Sequence, residues 1–160
     1  MKVAAVTLAV LITGCVSTVP VPDSLKPGTK ESLAMVLPAK GVQIYECRAE
    51  KWVFVAPEAE LFDRSGKKIG SHYAGPHWES ADGSKIVGAV KARADAPKAD
   101  AIPWLLLSAK SVGAAGAFSD VTSIQRVATT GGLSPAGGCS QNGMTARVPY
   151  TADYYFFTSK

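Results

Sequence analysis

The chain has 160 residues, of which 47% are hydrophobic, and this is enough for one domain with a buried core. It carries 17 lysine and arginine side chains against 13 aspartate and glutamate side chains, a net charge of +4. The basic residues are scattered, with no run longer than Lys67-Lys68, so the composition argues against a nucleic-acid-binding protein.

A lipoprotein signal peptide is predicted at residues 1–14. Lys2 supplies a positive start, Val3–Ile12 an apolar stretch, and Thr13-Gly14 the small residues before Cys15. The segment Ile12-Thr13-Gly14-Cys15 resembles the lipobox of bacterial lipoproteins, in which the cysteine becomes the lipidated first residue of the mature protein. The apolar stretch is about half the length needed to span a bilayer. We therefore expect the chain to be held at the membrane by acyl chains on Cys15.

The residues after Cys15 indicate where the protein lies. In the lipoproteins that the lipobox resembles, retention in the inner membrane is associated with aspartate after the cysteine, and this chain has Val16. This favours the bacterial cell envelope, on the periplasmic face of the outer membrane. Residues 15–30 contain Pro20, Pro22 and Pro27 and are predicted to form an extended tether, because proline favours stiff, solvated backbone.

Residues 31–160 are predicted to form a single β-rich domain. No stretch keeps the apolar spacing of an amphipathic helix over three turns, whereas short segments rich in β-branched and aromatic residues recur between turn signals. Asp82-Gly83 is the strongest hairpin signal; residues 94–103 are predicted to form a loop or one short helical turn, and residues 131–143 a loop. The predicted fold is all-β, an antiparallel β-sandwich or small barrel with short connecting loops. The predicted strands are Leu33–Leu37, Val42–Cys47, Trp52–Val55, Glu58–Asp63, Lys67–Tyr73, Trp78–Ala81, Lys85–Lys91, Trp104–Leu107, Phe118–Thr129 and Val148–Thr158.

Two cysteines remain once Cys15 carries lipid. Cys47 and Cys139 are an even pair in an oxidising compartment, so we expect a disulfide between a strand and the loop before the last strand. The alternative is two separate buried thiols.

The segment Gly70–Glu79 holds the candidate site. It contains His72 and His77, the two histidines of the chain, which a turn at Gly75-Pro76 would have to bring together for metal binding. The simpler interpretation is that His72 makes a buried hydrogen bond and His77 is exposed. Tyr73 and Trp78 are candidates for lining a pocket for an apolar ligand, although aromatic side chains in β-rich domains are more often core.

Enzyme motifs are missing from the sequence. There is no Gly-x-Ser-x-Gly, no Gly-Lys-Ser/Thr phosphate loop and no His-Glu-x-x-His, and no cofactor is expected. The enzymatic alternative is a small envelope hydrolase that uses His72 with Glu79 or Asp153. The favoured hypothesis is a non-enzymatic lipoprotein that binds a small molecule or an envelope protein.

Five sequence blocks resemble a family of secreted bacterial and fungal proteins known as domain of unknown function 3455. The resemblance runs from about Val21 to Phe157 and implies an all-β, secreted domain without an established activity. It leaves His72, Trp78 and Glu79 as the best site candidates and assigns no catalytic role. The blocks are Gly41–Cys47, Gly70–Glu79, Asp82–Gly88, Ile102–Leu107 and Val148–Tyr155.

Overall fold

A computed structural model describes residues 19–160 of the chain. The predicted signal peptide and Cys15 lie outside the described residues, and their assignment stays a prediction. No helix within the described residues has the length and hydrophobicity needed to cross a membrane. The described residues form a short 3-10 turn, Asp23–Leu25, and eight strands: β1 Glu31–Arg48, β2 Lys51–Phe62, β3 Lys68–Tyr73, β4 His77–Ser80, β5 Lys85–Ala94, β6 Trp104–Ser111, β7 Val121–Gly131 and β8 Thr145–Ser159.

The strands form a closed antiparallel barrel in which each strand pairs with the next in sequence and β8 pairs back with β1. This confirms the all-β, antiparallel prediction, with the small barrel as the form adopted. Because β3 and β4 are short, residues 51–58 of β2 pair with β1 alone and residues 89–94 of β5 pair with β6 alone. β1 and β2 come very close at Gly41, where an added Cβ would lie within 2.4 Å of the Ala59 Cα atom, so glycine is required there.

Several predicted strands are parts of longer ones, and their predicted ends were wrong. Leu33–Leu37 and Val42–Cys47 are both in β1, and Trp52–Val55 and most of Glu58–Asp63 are both in β2. Pro38 and Gly41, which lie between the first two predicted strands, are inside β1, and Pro57, which lies between the next two, is inside β2. At the hairpin between β4 and β5, Gly83 has a φ of 85°, as its turn requires.

The two ends of the barrel differ. At the closed end, the connection between β6 and β7 covers the opening, and Phe118 stacks on Phe156 with ring centroids 5.0 Å apart. The Asp82 carboxylate fixes this connection by accepting the backbone N–H of Ala117 at 2.8 Å. At the mouth end lie the turns and loops joining β1 to β2, β3 to β4, β5 to β6 and β7 to β8.

Residues 19–30, which we call the N-terminal strap, lie along the outer wall of the barrel. Leu25 is fully buried and packs with Trp104, Leu106 and Val127. The carbonyl of Leu25 accepts a hydrogen bond of 2.5 Å from the Gln125 side chain. This part of the predicted tether is therefore docked on the folded domain.

The structure pairs Cys47 with Cys139 as a disulfide, with Cα atoms 5.8 Å apart and a sequence separation of 92. The pair joins the last part of β1 to the loop between β7 and β8, as the sequence predicted. Both ends of the bridge lie at the mouth end, where it restrains the longest mouth loop.

Candidate ligand-binding site

The mouth end of the barrel holds an open, mainly apolar cavity of about 350 Å³. It adjoins a second cavity of about 390 Å³, and five residues line both: Gln43, Phe54, Val90, Leu105 and Arg126. Phe54 and Val90 are 51% and 59% exposed and form part of the rim. Either volume lies within the range of small-molecule sites in proteins.

Strand alternation explains why polar groups reach this cavity. Every second residue of a strand faces the interior, and in β1 this series ends with Gln43, Tyr45 and Cys47. In β7 the inward series contains Ile124 and then Arg126. Toward the closed end the interior is filled with apolar side chains, whereas toward the mouth polar side chains replace them. The cavity therefore has a polar lining beneath an apolar rim.

Arg126 is the one cation that lines both cavities, and it is half-buried. Its Nε and Nη2 atoms donate hydrogen bonds to the Pro103 carbonyl at 3.1 and 2.8 Å. No carboxylate within residues 19–160 forms an ion pair with it. A guanidinium has five N–H donors, so the Pro103 carbonyl leaves three unused, and the Tyr154 hydroxyl lies close to the group as a further polar neighbour. The site thus holds a fixed positive charge without a negative partner in the described chain.

Two further donors in the cavity wall are unpartnered. Gln43 is 2% exposed, and neither its Nε2 atom nor the Nε1 atom of Trp78 has a hydrogen-bond partner in the described part of the chain. Burial raises the pKa of the nearby Tyr150 hydroxyl, and the Gln43 amide beside it opposes this shift slightly. Buried donors without partners are costly, so an acceptor arriving in the cavity would be stabilised there.

Trp78 can enter the barrel because its ring lies over a glycine of β5, two residues beyond its cross-strand partner Ile86. A Cβ added at Gly88 would lie 2.7 Å from the Trp78 ring. On the other side, the Trp78 ring stacks on His72 with centroids 4.2 Å apart and planes 16° from parallel. Tyr154 contacts both rings edge-on. These aromatic contacts hold the Trp78 ring in one orientation.

His72 is buried and uncharged. Burial is the main cause that lowers its pKa to about 3; the hydrogen bond to the His77 carbonyl opposes this shift and the nearby charge of Arg126 adds to it. Nδ1 of His72 is 2.8 Å from the backbone carbonyl of His77, and because the carbonyl accepts, Nδ1 carries the proton and Nε2 is the ring's acceptor. Burial also raises the pKa of Tyr150 and of Tyr154, so both hydroxyls are neutral. Arg126 is therefore the charged group of the inner wall that can select an anion.

The structure brings together only two of the four residues that the sequence placed in a ligand site. His72 and Trp78 face the cavity, whereas Tyr73 and Glu79 lie on the outer face of the same strands. There the Tyr73 hydroxyl donates to Glu79 at 2.5 Å, and Lys85 lies 3.2 Å from the same carboxylate. The Tyr73 hydrogen bond, followed by that of Lys85, lowers the pKa of Glu79.

The other groups that the sequence considered also lie outside the barrel. The His77 ring stacks on Tyr73, 5.5 Å away, on the face opposite His72. Asp153 alternates with the buried Ala152 and Tyr154 and so points outward, and burial raises its pKa. Residues 19–160 contain no group of three histidine, cysteine, aspartate or glutamate side chains placed to hold a metal ion. The wall thus separates His72 from Glu79 and Asp153.

The sequence reasoning missed Gln43 and Arg126, which the structure makes central. One signal was available for Arg126: it shares an alternating face with Ile124, which is unusual for a charged residue in a strand bounded by apolar positions. A similar signal was available for Gln43, a polar residue that lies on the same face of its predicted strand as Tyr45 and Cys47. Neither pattern shows whether another strand supplies a hydrogen-bond or ion-pair partner for the polar side chain.

A family model described as "Protein of unknown function (DUF3455)" matches residues 27–158. The chain belongs to this family. The match spans the barrel from the end of the strap to the last residues of β8 and includes every cavity-lining residue named above. No curated protein and no solved structure shows significant similarity to the chain.

Proposed function

We propose that this DUF3455 protein is an envelope-anchored lipoprotein that binds small, mainly apolar acids in the open end of its barrel. The observation that carries the binding proposal is Arg126, a half-buried guanidinium without an ion-pair partner in the described chain, in a cavity that is mainly apolar and holds no carboxylate among its lining residues. An isolated charge in such surroundings is costly unless it is paired. A ligand carboxylate would supply the missing partner, and the apolar rim would cover the ligand's hydrocarbon part.

The neighbouring donors support an acceptor-bearing ligand. Gln43 and Trp78 offer N–H groups to an oxygen near Arg126, while Tyr150 and Tyr154 stay neutral. A cationic ligand would meet Arg126 and no compensating carboxylate among the named lining residues. The charge pattern therefore favours an anion over a cation of equal size.

The anchor rests on the lipobox at Cys15 and on the short apolar stretch before it. Two or three acyl chains hold a protein stably at a membrane, whereas one binds only marginally. We propose the periplasmic face of the outer membrane as its location, with the bilayer contacted through the lipid and no role in nucleic-acid binding. A second protein of the envelope would be an additional partner.

The binding proposal is tested by calorimetry with decanoate and decanol, which share a hydrocarbon chain and differ in charge. We expect decanoate to bind more tightly, at one molecule per protein, because only its carboxylate pairs with Arg126. Equal affinity for the two compounds would contradict the proposal, and so would the absence of binding by both. Native mass spectrometry of protein purified from the periplasm would then identify the natural ligand.

The anchor is tested by cell fractionation of the Cys15→Ser variant. We expect this variant in the soluble periplasmic fraction, whereas the control Ser17→Ala stays with the membrane. Membrane association of Cys15→Ser equal to that of the control would contradict the lipid anchor without affecting the binding proposal.

A further inference from the structure

The N-terminal strap fixes the direction from which the membrane anchor reaches the barrel. β7 runs from Val121 near the closed end to Gly131 at the mouth end. Glu31 accepts a hydrogen bond of 2.5 Å from Thr122, and Leu25 accepts one from Gln125. Followed backwards from Glu31, the chain therefore climbs the outer wall toward the mouth.

The strap continues in this direction beyond Leu25. Val19 and Val21 pack against the cluster that contains Trp104, the first residue of β6. Ala94, the cross-strand partner of Trp104, ends β5 at the mouth end and packs against the same cluster. The first described residues thus lie on the upper part of the wall, beside the loop that joins β5 to β6.

The length of chain before Val19 limits how the barrel meets the bilayer. Three residues lie between Cys15 and Val19, so four Cα-to-Cα steps of at most about 3.6 Å each give a reach of about 14 Å. From the level of Val127 to that of Val121, β7 alone covers about 20 Å at roughly 3.3 Å per residue. The linker therefore reaches the mouth end readily and falls short of the closed end while the strap stays docked.

Exposed apolar side chains concentrate at the same end. The described residues include eight large hydrophobic side chains that are exposed, and six of them lie on mouth-end segments. Leu33 and Val112 are the two at the closed end, where they stand singly. Single exposed hydrophobic side chains are common on protein surfaces, whereas a cluster of them indicates a surface that contacts a partner or a membrane. The six are Val53, Phe54, Val55, Val90, Leu133 and Met144.

We propose that lipidated Cys15 holds the barrel with its mouth against the lipid leaflet, so that the apolar rim contacts the membrane surface and ligands enter from it. This inference rests on the lipid anchor of the proposed function. The surface that the rim contacts is a phospholipid bilayer. The acyl chains proposed on Cys15 insert into a bilayer, and the short linker between Cys15 and Val19 keeps that bilayer within reach of the rim.

The test uses the full acylated chain in vesicles of phosphatidylethanolamine and phosphatidylglycerol. Single cysteines are introduced at matched positions and labelled with the environment-sensitive dye NBD: Val90→Cys and Leu133→Cys at the mouth, Val112→Cys and Leu33→Cys at the closed end. The wild-type side chains are similarly exposed, at 59% and 41% against 49% and 49%. Lipids carrying a nitroxide on the acyl chain then quench any dye that touches the bilayer.

We expect both mouth labels to shift to shorter wavelength and lose most of their emission, while both closed-end labels keep theirs. Equal quenching at the two ends, or stronger quenching at the closed end, would overturn the orientation while leaving the anchor intact. An intact mass without acyl chains on Cys15 would overturn the anchor and the orientation together. The binding of decanoate, which needs no membrane, would stand in either case.

Discussion

The pairing of Arg126 with a ligand carboxylate makes a quantitative prediction for Arg126→Met. Methionine keeps a long, unbranched apolar side chain and removes the charge and every donor. Two of the five guanidinium N–H groups donate to the Pro103 carbonyl, and a ligand carboxylate would take up donors among the other three. A hydrogen bond to a charged group contributes about 1.5–3 kcal/mol, so the affinity for decanoate should fall by about 10- to 100-fold.

The control ligand and a control variant isolate the charge. Decanol makes no ion pair, so its affinity should change little in Arg126→Met. Arg126→Lys keeps the positive charge but loses the planar fork, and it should lie between the wild type and Arg126→Met. Decanoate and decanol, each measured with the wild type and with Arg126→Met, make a thermodynamic cycle. The loss of binding free energy for decanoate minus the loss for decanol is the coupling free energy between the carboxylate and the guanidinium.

Isothermal titration calorimetry measures all these affinities, after thermal unfolding has shown that each variant is folded. Equal losses for decanoate and decanol would refute the role of the charge, since they would indicate a lost packing surface. An unchanged affinity for decanoate would refute the placement of the ligand at Arg126.

Three further predictions concern stability. The pKa of His72 in the folded state, about 3, lies below its ordinary 6.5, so below pH 6.5 the unfolded chain gains a proton that the folded one does not. The free energy of unfolding should therefore fall by about 2 kcal/mol between pH 6.5 and pH 5, and this loss should disappear in His72→Gln and persist in His77→Gln. Cys139→Ser should lower the free energy of unfolding by up to about 4.6 kcal/mol, because a 92-residue loop is no longer closed in the unfolded chain. Leu25→Ala should cost about 2–5 kcal/mol, because this side chain is fully buried under the strap.

Denaturant titrations followed by circular dichroism measure these three effects. The same pH dependence in wild type and His72→Gln would contradict the buried neutral histidine. Identical unfolding midpoints with and without a reducing agent would contradict the contribution of the disulfide. Leu33→Ala, at an exposed position, is the control for Leu25→Ala, and similar small losses in both would show that the strap does not dock.

Much of the fold could be predicted from the sequence because its signals are local. The Asp82-Gly83 hairpin follows from a turn that needs a positive φ, and the disulfide follows from an even pair of cysteines. Barrel closure was not predictable, because the pairing of β1 with β8 joins opposite ends of the domain. The continuity of β1 was not predictable either, because the reason for a glycine at position 41 is the close approach of Ala59 from β2, which only the folded chain shows.

The candidate site was predictable only in part, for a related reason. The block around His72 and Trp78 is conspicuous by composition, but alternation along β3 and β4 sends Tyr73 and Glu79 to the outer face. Arg126 is a candidate ligand-binding residue because no carboxylate from another strand pairs with it in the described chain. Which side chains lie around it is known only once the barrel is folded. A single sequence holds no record of that environment.

The most direct test of ligand binding in the barrel is a proton–nitrogen correlation NMR spectrum recorded during titration with decanoate. Trp78 and Trp104 are both buried, and the indole nitrogen of each lacks a hydrogen-bond partner in the described residues, but Trp78 faces the cavity and Trp104 the outer wall. We predict that the indole N–H signal of Trp78, the side-chain amide of Gln43 and the guanidinium Nε–H of Arg126 shift together and saturate, while the Trp104 indole signal stays in place. Shifts centred on Trp104 with an unmoved Trp78 would contradict binding inside the barrel.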